Sequence, residues 1–204
     1  AGESCGMIGS VSTDDGIECY ESTNTTPEAP EVWRHIANCR ESGRQSMVME
    51  VSSQALKYQR VENLPFDVAC FLNIGRDHIS PIEHPTFEDY FESKLRIFDQ
   101  AKTAVVNLGT EEVDRVLEAA STAERLVTVG VEHPEASLWA SDVRMVGFNI
   151  EFNLHGLCAD ESEAGEKILL GIAGDFNVEN ALVAIAAAHE IGIGIDAIKK
   201  GLSK

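Results

Sequence analysis

Apolar residues recur along the chain in two kinds of run that take turns. Residues 6–11 (GMIGSV), 46–51 (SMVMEV), 67–74 (DVACFLNI), 103–107 and 126–130 are compact apolar blocks and read as buried strands. Between them apolar residues fall at helical spacing. Val32, Ile36 and Cys39 give the inner face of a helix with Pro27 near its first position and Gly43 ending it. Phe87, Phe91, Leu95 and Phe98 make one stripe behind Thr86, a plausible N-cap, with Glu88 and Asp89 favourable in the first turn. Val113, Val116, Leu117 and Ala120 mark a helix from about residue 111. From Leu138 the period changes: Val143, Met145, Ile150, Phe152 and Leu154 alternate with polar residues around Gly147, the pattern of an antiparallel ribbon, with His155 on its solvated face. Residues 168–172 form a last strand. An alanine-rich helix carrying Leu182, Ile185 and Ala186 inward and ending at Gly192, then a short helix over 196–202, complete the chain. Strand and helix in alternation predict a three-layer α/β fold, with a mostly parallel sheet covered on both faces and an appended antiparallel ribbon.

Four polar features interrupt this pattern. Lys94 projects about 20° from Phe87 at roughly 100° per residue, inside the apolar stripe. Burial there disfavours the ammonium and yields a neutral, nucleophilic amine, unless the side chain snorkels out past the rings. Glu50 stands near the end of an apolar strand and needs a partner, which Arg76 or Lys94 could supply as an ion pair. Asn24, Thr25 and Thr26 precede a helix and serve either as caps or as amides and hydroxyls for an anion. Asn177 sits at a helix start, as an N-cap or next to one, and Asn180 lies one turn on; an asparagine amide donates and accepts at once.

Composition narrows the chemistry. A chain of 204 residues buries a real core as one domain, or one with a small appendage. No apolar run of about 18 residues and no leader occurs, so neither a membrane span nor a signal peptide is expected. Five scattered cysteines (Cys5, Cys19, Cys39, Cys70, Cys158) without C-x-x-C spacing read as reduced cytoplasmic thiols. A formal net charge of −18 argues against nucleic acid as a partner, and any phosphate site must be local.

With these residues in place, several separated motifs resemble the Mur ligases, the ATP-dependent amide-forming enzymes of peptidoglycan synthesis. N-x-x-x-D-H, ending at His78, with the F-E-x-K-x-x-I-F helix around Lys94 resembles the family's central-domain signature. The M-E-V-S-S run from Met49 and the G-x-F-N-V-x-N-A-L run from Gly174 are similar to two further family segments, and N-T-T-P-E from Asn24 to that of the tripeptide synthetases. The resemblance implies a carbamylated Lys94 that, with Glu50 and His78, surrounds a magnesium ion, a hard cation suited to oxygen ligands. It implies that Asn24, Thr25, Thr26, Ser52 and Arg60 contact the UDP-N-acetylmuramoyl-dipeptide substrate and that Asn177 and Asn180 contact the adenine of ATP. The implied reaction phosphorylates the substrate carboxylate and lets the amine of an amino acid attack the acyl phosphate. After His78 the chain departs from the family, reading Ile79-Ser80-Pro81-Ile82-Glu83-His84 where many relatives have a Leu-Asp-x-His-Gly loop.

No G-x-x-x-x-G-K-[ST] occurs, so residues 1–204 are expected to be a central domain without its first strand and phosphate loop, inactive alone and prone to self-association through unpaired sheet edges. Two rivals stay open: another amide ligase of the superfamily, of folylpolyglutamate or cyanophycin synthetase type, and a noncatalytic Mur-like binding or regulatory module.

Overall fold

The computed structural model describes residues 5–76, 79–157 and 165–204. They group into two compact units: Gly2–Leu64 with Arg76–Ile97, and Pro65–Gly75 with Phe98–Lys204.

The first unit is built on a four-stranded sheet of β1 (Cys5–Ile8), β2 (Ser12–Asp14), β3 (Cys19–Glu21) and β4 (Ser46–Met49), in the order β3-β2-β1-β4. β1 and β4 run parallel with Cys5 opposite Ser46 and Ile8 opposite Met49, and the other pairs are antiparallel. Both apolar blocks are less buried than their composition predicts. β4 ends the sheet and leaves Val48 64% exposed, and β1 alternates buried and exposed residues. β2 and β3 have no apolar signature. The turn between them is made by Asp15, whose Oδ1 accepts from the backbone N–H of Ile17 (2.9 Å) and Glu18 (2.7 Å).

Helix α1 (Ala29–Glu41) begins later than expected: Glu28 is its N-cap, with no side-chain cap bond, and Pro30 lies in its first turn. Its inner face is Val32, His35 and Cys39, with His35 in the place expected for Ile36. A histidine can sit there, fully buried, because Asp15 Oδ2 (2.6 Å from Nδ1) and the Tyr20 hydroxyl (2.9 Å from Nε2) engage both ring nitrogens. The short helix α2 (Ser53–Lys57) is capped by Ser52, whose side chain accepts from Ala55 N–H. Helix α3 (Phe87–Leu95) is capped by the Thr86 hydroxyl, as the sequence predicts, and tightens into a 3-10 turn over Arg96–Gln100.

The second unit carries a six-stranded sheet in the order β10-β9-β8-β7-β6-β5. β5 (Phe66–Phe71), β6 (Ala101–Asn107), β7 (Arg125–Val131) and β8 (Leu138–Val146) are parallel; β9 (Asn149–His155) and β10 (Glu166–Leu170) add the antiparallel ribbon. Residues 103–107 of β6 are all buried, as a central parallel strand requires. Helix α4 (Val113–Ala120) packs on β6, and α5 (Phe176–Glu190) lies along β5 to β8, burying Leu182, Ile185 and Ala186 against Val105, Val129 and Ile150. α6 (Ile195–Leu202) packs on α5 and β10. Burial of Leu182 and of Ile185 contributes about 1.5–3 kcal/mol each. His155, expected on a solvated face, instead stacks on Trp139 (centroids 4.1 Å apart, planes at 15°) and bonds Ser141 Oγ at 2.8 Å.

Candidate functional site

In the first unit the chain following the exposed Asn24 and half-buried Thr25 turns inward at Thr26, which is 1% exposed. Its hydroxyl donates to the backbone carbonyl of Glu50 (2.9 Å) and accepts the backbone N–H of Ser52 (2.9 Å). Its own carbonyl accepts from Arg60 Nη1 at 3.2 Å, and Arg60 Nη2 pairs with Glu28 at 2.8 Å. Thr26, Ser52 and Arg60 are therefore one hydrogen-bonded wall. Thr26 is no helix cap, since α1 starts beyond Glu28 and the hydroxyl is engaged elsewhere. Arg60 Nε is buried and has no hydrogen-bond partner among the described residues. Two of its three nitrogens, Nη1 and Nη2, fix the guanidinium in place.

Glu50 follows β4, and its carboxylate is anchored without a cation. Oε2 accepts from the backbone N–H (2.9 Å) and hydroxyl (2.7 Å) of Ser10, and a Cβ on Gly9 would come within 3.2 Å of Oε1. The ion pair to Arg76 or Lys94 that the sequence left open is not formed. Arg76 lies over the Phe87 ring (5.2 Å to its centroid) and Lys94 Nζ over that of Tyr90 (5.5 Å). Lys94 is half-buried and does not snorkel fully into water; burial pushes its amine below the usual lysine range. The ring it covers is that of Tyr90, one turn back at i−4, and not Phe87. His78 lies outside the described residues.

Asn177 and Asn180 belong to the second unit, in the opening turns of α5. Asp175 is the N-cap, so Asn177 is already helical; its Nδ2 donates back to the Ala173 carbonyl (2.6 Å), and its Oδ1 accepts from Asn180 Nδ2 (3.3 Å). Beside this amide pair Phe176 is 69% exposed, an aromatic face next to donors and acceptors. The same turn is fastened from below. Asn107, buried at the end of β6, donates to Glu179 Oε2 (3.1 Å) and to the Leu72 carbonyl (3.0 Å).

A family model described as the Mur ligase middle domain matches residues 2–188. The chain belongs to the Mur ligase family. A UDP-N-acetylmuramyl-tripeptide synthetase of Bifidobacterium longum (strain NCC 2705) is 41% identical over 190 residues, covering 89% of this chain and 35% of that protein. A UDP-N-acetylmuramoyl-L-alanyl-D-glutamate--L-lysine ligase of Streptococcus sanguinis (strain SK36) is 36% identical over 191 residues, covering 94% of this chain and 37% of that one. Among solved structures, a UDP-N-acetylmuramoyl-L-alanyl-D-glutamate--2,6-diaminopimelate ligase superposes with a TM-score of 0.84 at 23% identity, over 98% of this chain and 40% of that chain. The chain thus spans well under half the length of the Mur ligases it matches.

Two further polar clusters stand among the described residues. Asp15, Glu18 and His35 bring their ligand atoms within 4.8 Å of one another, a grouping that could hold a metal ion. Its atoms are already engaged: Asp15 accepts four bonds, from Ile17, Glu18, His35 and Asn38, and Glu18 pairs with Arg34. These donors hold the Asp15 carboxyl well below the usual carboxylate range despite burial. The cluster is a fastening between the β2–β3 turn and α1. The second cluster joins Ser53, Lys57, His84 and Asp89. The histidine after the departing loop was its only signal in the sequence.

Proposed function

We propose that this chain is the central domain of a Mur ligase that joins an amino acid to UDP-N-acetylmuramoyl-dipeptide at the expense of ATP. The observation that carries the proposal is the wall of Thr26, Ser52 and Arg60, which holds a partly exposed guanidinium in place between the Thr26 carbonyl and Glu28. A carboxylate or phosphate oxygen of the nucleotide sugar is the acceptor such a group takes. Asn24 and Thr25 offer further polar groups from the loop before it.

In this reading Glu50, His78 and Lys94 would hold a magnesium ion. Glu50 offers a hard carboxylate oxygen on a side chain fixed through Oε2. Lys94, its amine partly desolvated, adds carbon dioxide in its uncharged form and loses a proton to solvent, giving a carbamate anion. Bound magnesium would neutralise phosphate charge as it develops. The terminal carboxylate of the dipeptide takes the γ-phosphoryl group, the amine of the amino acid attacks the acyl phosphate, and inorganic phosphate leaves. Asn177 and Asn180 would read the edge of adenine while Phe176 offers its ring face.

The 204 residues contain no G-x-x-x-x-G-K-[ST], so the β and γ phosphates would be held by residues outside them, and the chain alone is expected to form no product. β4 and β5 each end a sheet, which supports self-association of the isolated chain, read by light scattering.

ADP release by the full-length protein tests the function. Release that requires both UDP-N-acetylmuramoyl-dipeptide and an amino acid, lysine and diaminopimelate being tried separately, supports it; release independent of the nucleotide sugar overturns it. Labelled bicarbonate trapped at Lys94 tests the carbamate.

A further inference from the structure

Ser53, the last residue of the M-E-V-S-S run, stands in a line with His84 and Asp89. His84 is completely buried, with Nδ1 2.6 Å from Asp89 Oδ2 and Nε2 2.9 Å from Ser53 Oγ. Lys57 Nζ reaches the same Asp89 oxygen at 2.6 Å and the Glu83 carbonyl at 3.1 Å. Lys57 first and His84 second hold the Asp89 carboxyl below its usual range, so it is an anion that accepts from both. With Nδ1 facing Asp89, the other ring nitrogen, Nε2, is left to pair with the Ser53 hydroxyl.

A serine, histidine and aspartate in this order is also the layout of a hydrolytic triad. Here Ser53 is buried in the first turn of α2 and the ring has no exposed edge, so no acyl group reaches the hydroxyl. The geometry serves mechanics instead. Both ends of α2 are tied to the segment that opens α3: Ser53 through His84, Lys57 through Asp89. That segment is closed on itself by Ser80 N–H donating to the His84 carbonyl (2.9 Å) and Glu83 N–H to Ser80 Oγ (3.1 Å). Ser52 caps α2, and Arg60 N–H donates to the Ala55 carbonyl at its end. On the far side the His84 ring packs on Tyr90 (centroids 5.3 Å apart), the ring over which Lys94 lies.

We propose that His84 is a positioning residue that fixes the Ser52–Arg60 wall relative to the Lys94 helix, through Ser53 on one side and Asp89 and Tyr90 on the other. The role rests on the ligase reading above, in which both elements meet the same substrates. Two helices tied by one buried bond and two part-buried, charge-assisted ones cannot slide independently.

The test uses the full-length protein with Ser53→Ala and His84→Asn, singly and together. Amide hydrogen exchange over residues 87–95 is read alongside the dissociation constant for UDP-N-acetylmuramoyl-dipeptide, kcat and KM. Loss of the Ser53 hydroxyl on α2 is expected to speed exchange in α3. Each single variant is expected to lose about tenfold or more in kcat/KM, with the double variant no worse than the poorer single. Asp89→Asn, which keeps an acceptor for His84, should lose less than Asp89→Ala. If Ser53→Ala does not fold, Lys57→Met cuts the other tie and gives the same readings. Unchanged exchange over 87–95 overturns the coupling whatever the activity, and a lowered melting temperature with unchanged kcat and KM leaves His84 structural only. A wild-type protein that binds no nucleotide sugar yet shows the exchange response overturns the ligase reading and the positioning role with it.

Discussion

Thr26→Val removes one oxygen and keeps the shape of the side chain, which makes it a sharp probe of the polar wall. At 1% exposure, Thr26 places its hydroxyl where it both accepts the Ser52 N–H and donates to the Glu50 carbonyl. Glu50 is exposed, so its carbonyl finds water in the variant. Ser52 is half-buried, and its N–H is left facing a methyl group. An unpaired buried donor costs about 1–3 kcal/mol, and the added methyl returns a fraction of that. The net loss is expected at roughly 1–2 kcal/mol, or about 2–8 °C in melting temperature for a chain of this size. Urea unfolding followed by circular dichroism measures it, with Thr26→Ser, which keeps the hydroxyl, as control. A Thr26→Val protein within about 0.5 kcal/mol of wild type would refute the wall as a structural unit, because surface-like substitutions fall in that range.

Burial lowers the Lys94 amine, so competitive acetylation of Lys94 should reach half its maximum at a lower pH than that of exposed Lys200, and folding stability should rise with pH through the window just below the ordinary lysine pKa, where only the unfolded chain holds that proton. Identical titration of the two lysines would remove the basis for carbamylation. Asp89, held low by Lys57 and His84, contributes stability that is present above the ordinary carboxylate pKa of about 4 and lost as pH falls through its lowered value. The difference between wild type and Asp89→Asn in urea unfolding should therefore shrink between pH 7 and the acid limit, and a constant difference would contradict the pairing. Gly109→Ala puts a Cβ 2.5 Å from Glu179 Oε1 and displaces it from Asn107, for an expected loss of about 1–3 kcal/mol by thermal unfolding, whereas an unchanged melting temperature would mean that α5 does not depend on this tie.

The periodicity of the chain was enough for the elements whose identity depends on burying one face. The central parallel strands, the ribbon and the helices after Thr86 and Gly174 all form where the spacing put them. Lys94 was legible for the same reason: a helical angle alone places it beside Phe87, and the structure leaves it half-buried on a helix whose buried residues are Tyr90, Phe91 and Ser93. What the sequence misplaced or missed was set by polar side chains that apolar periodicity does not report. β2 and β3 exist because Asp15 closes a turn, and His35 displaces Ile36 from the inner face of α1 because that same aspartate and Tyr20 engage its ring. β4 reads as buried but ends a sheet, and no local pattern reports whether a strand has one neighbour or two.

The same distinction explains why some of the site could be located in advance and some could not. Asn24, Thr25 and Thr26 have a composition equally good for a helix cap and for a ligand loop. The structure rules out the cap for Thr26 by engaging its hydroxyl with Glu50 and Ser52, 24 and 26 residues away, while α1 begins at Ala29 without a side-chain cap. A hydroxyl committed to distant backbone cannot also serve the nearest helix. His84 carries the point further. No periodicity marks a histidine in a loop, yet burial forces both of its nitrogens to find partners, and the partners it finds, Ser53 and Asp89, belong to two helices that the motifs treat separately. Satisfying one buried ring is what makes those helices a single mechanical piece.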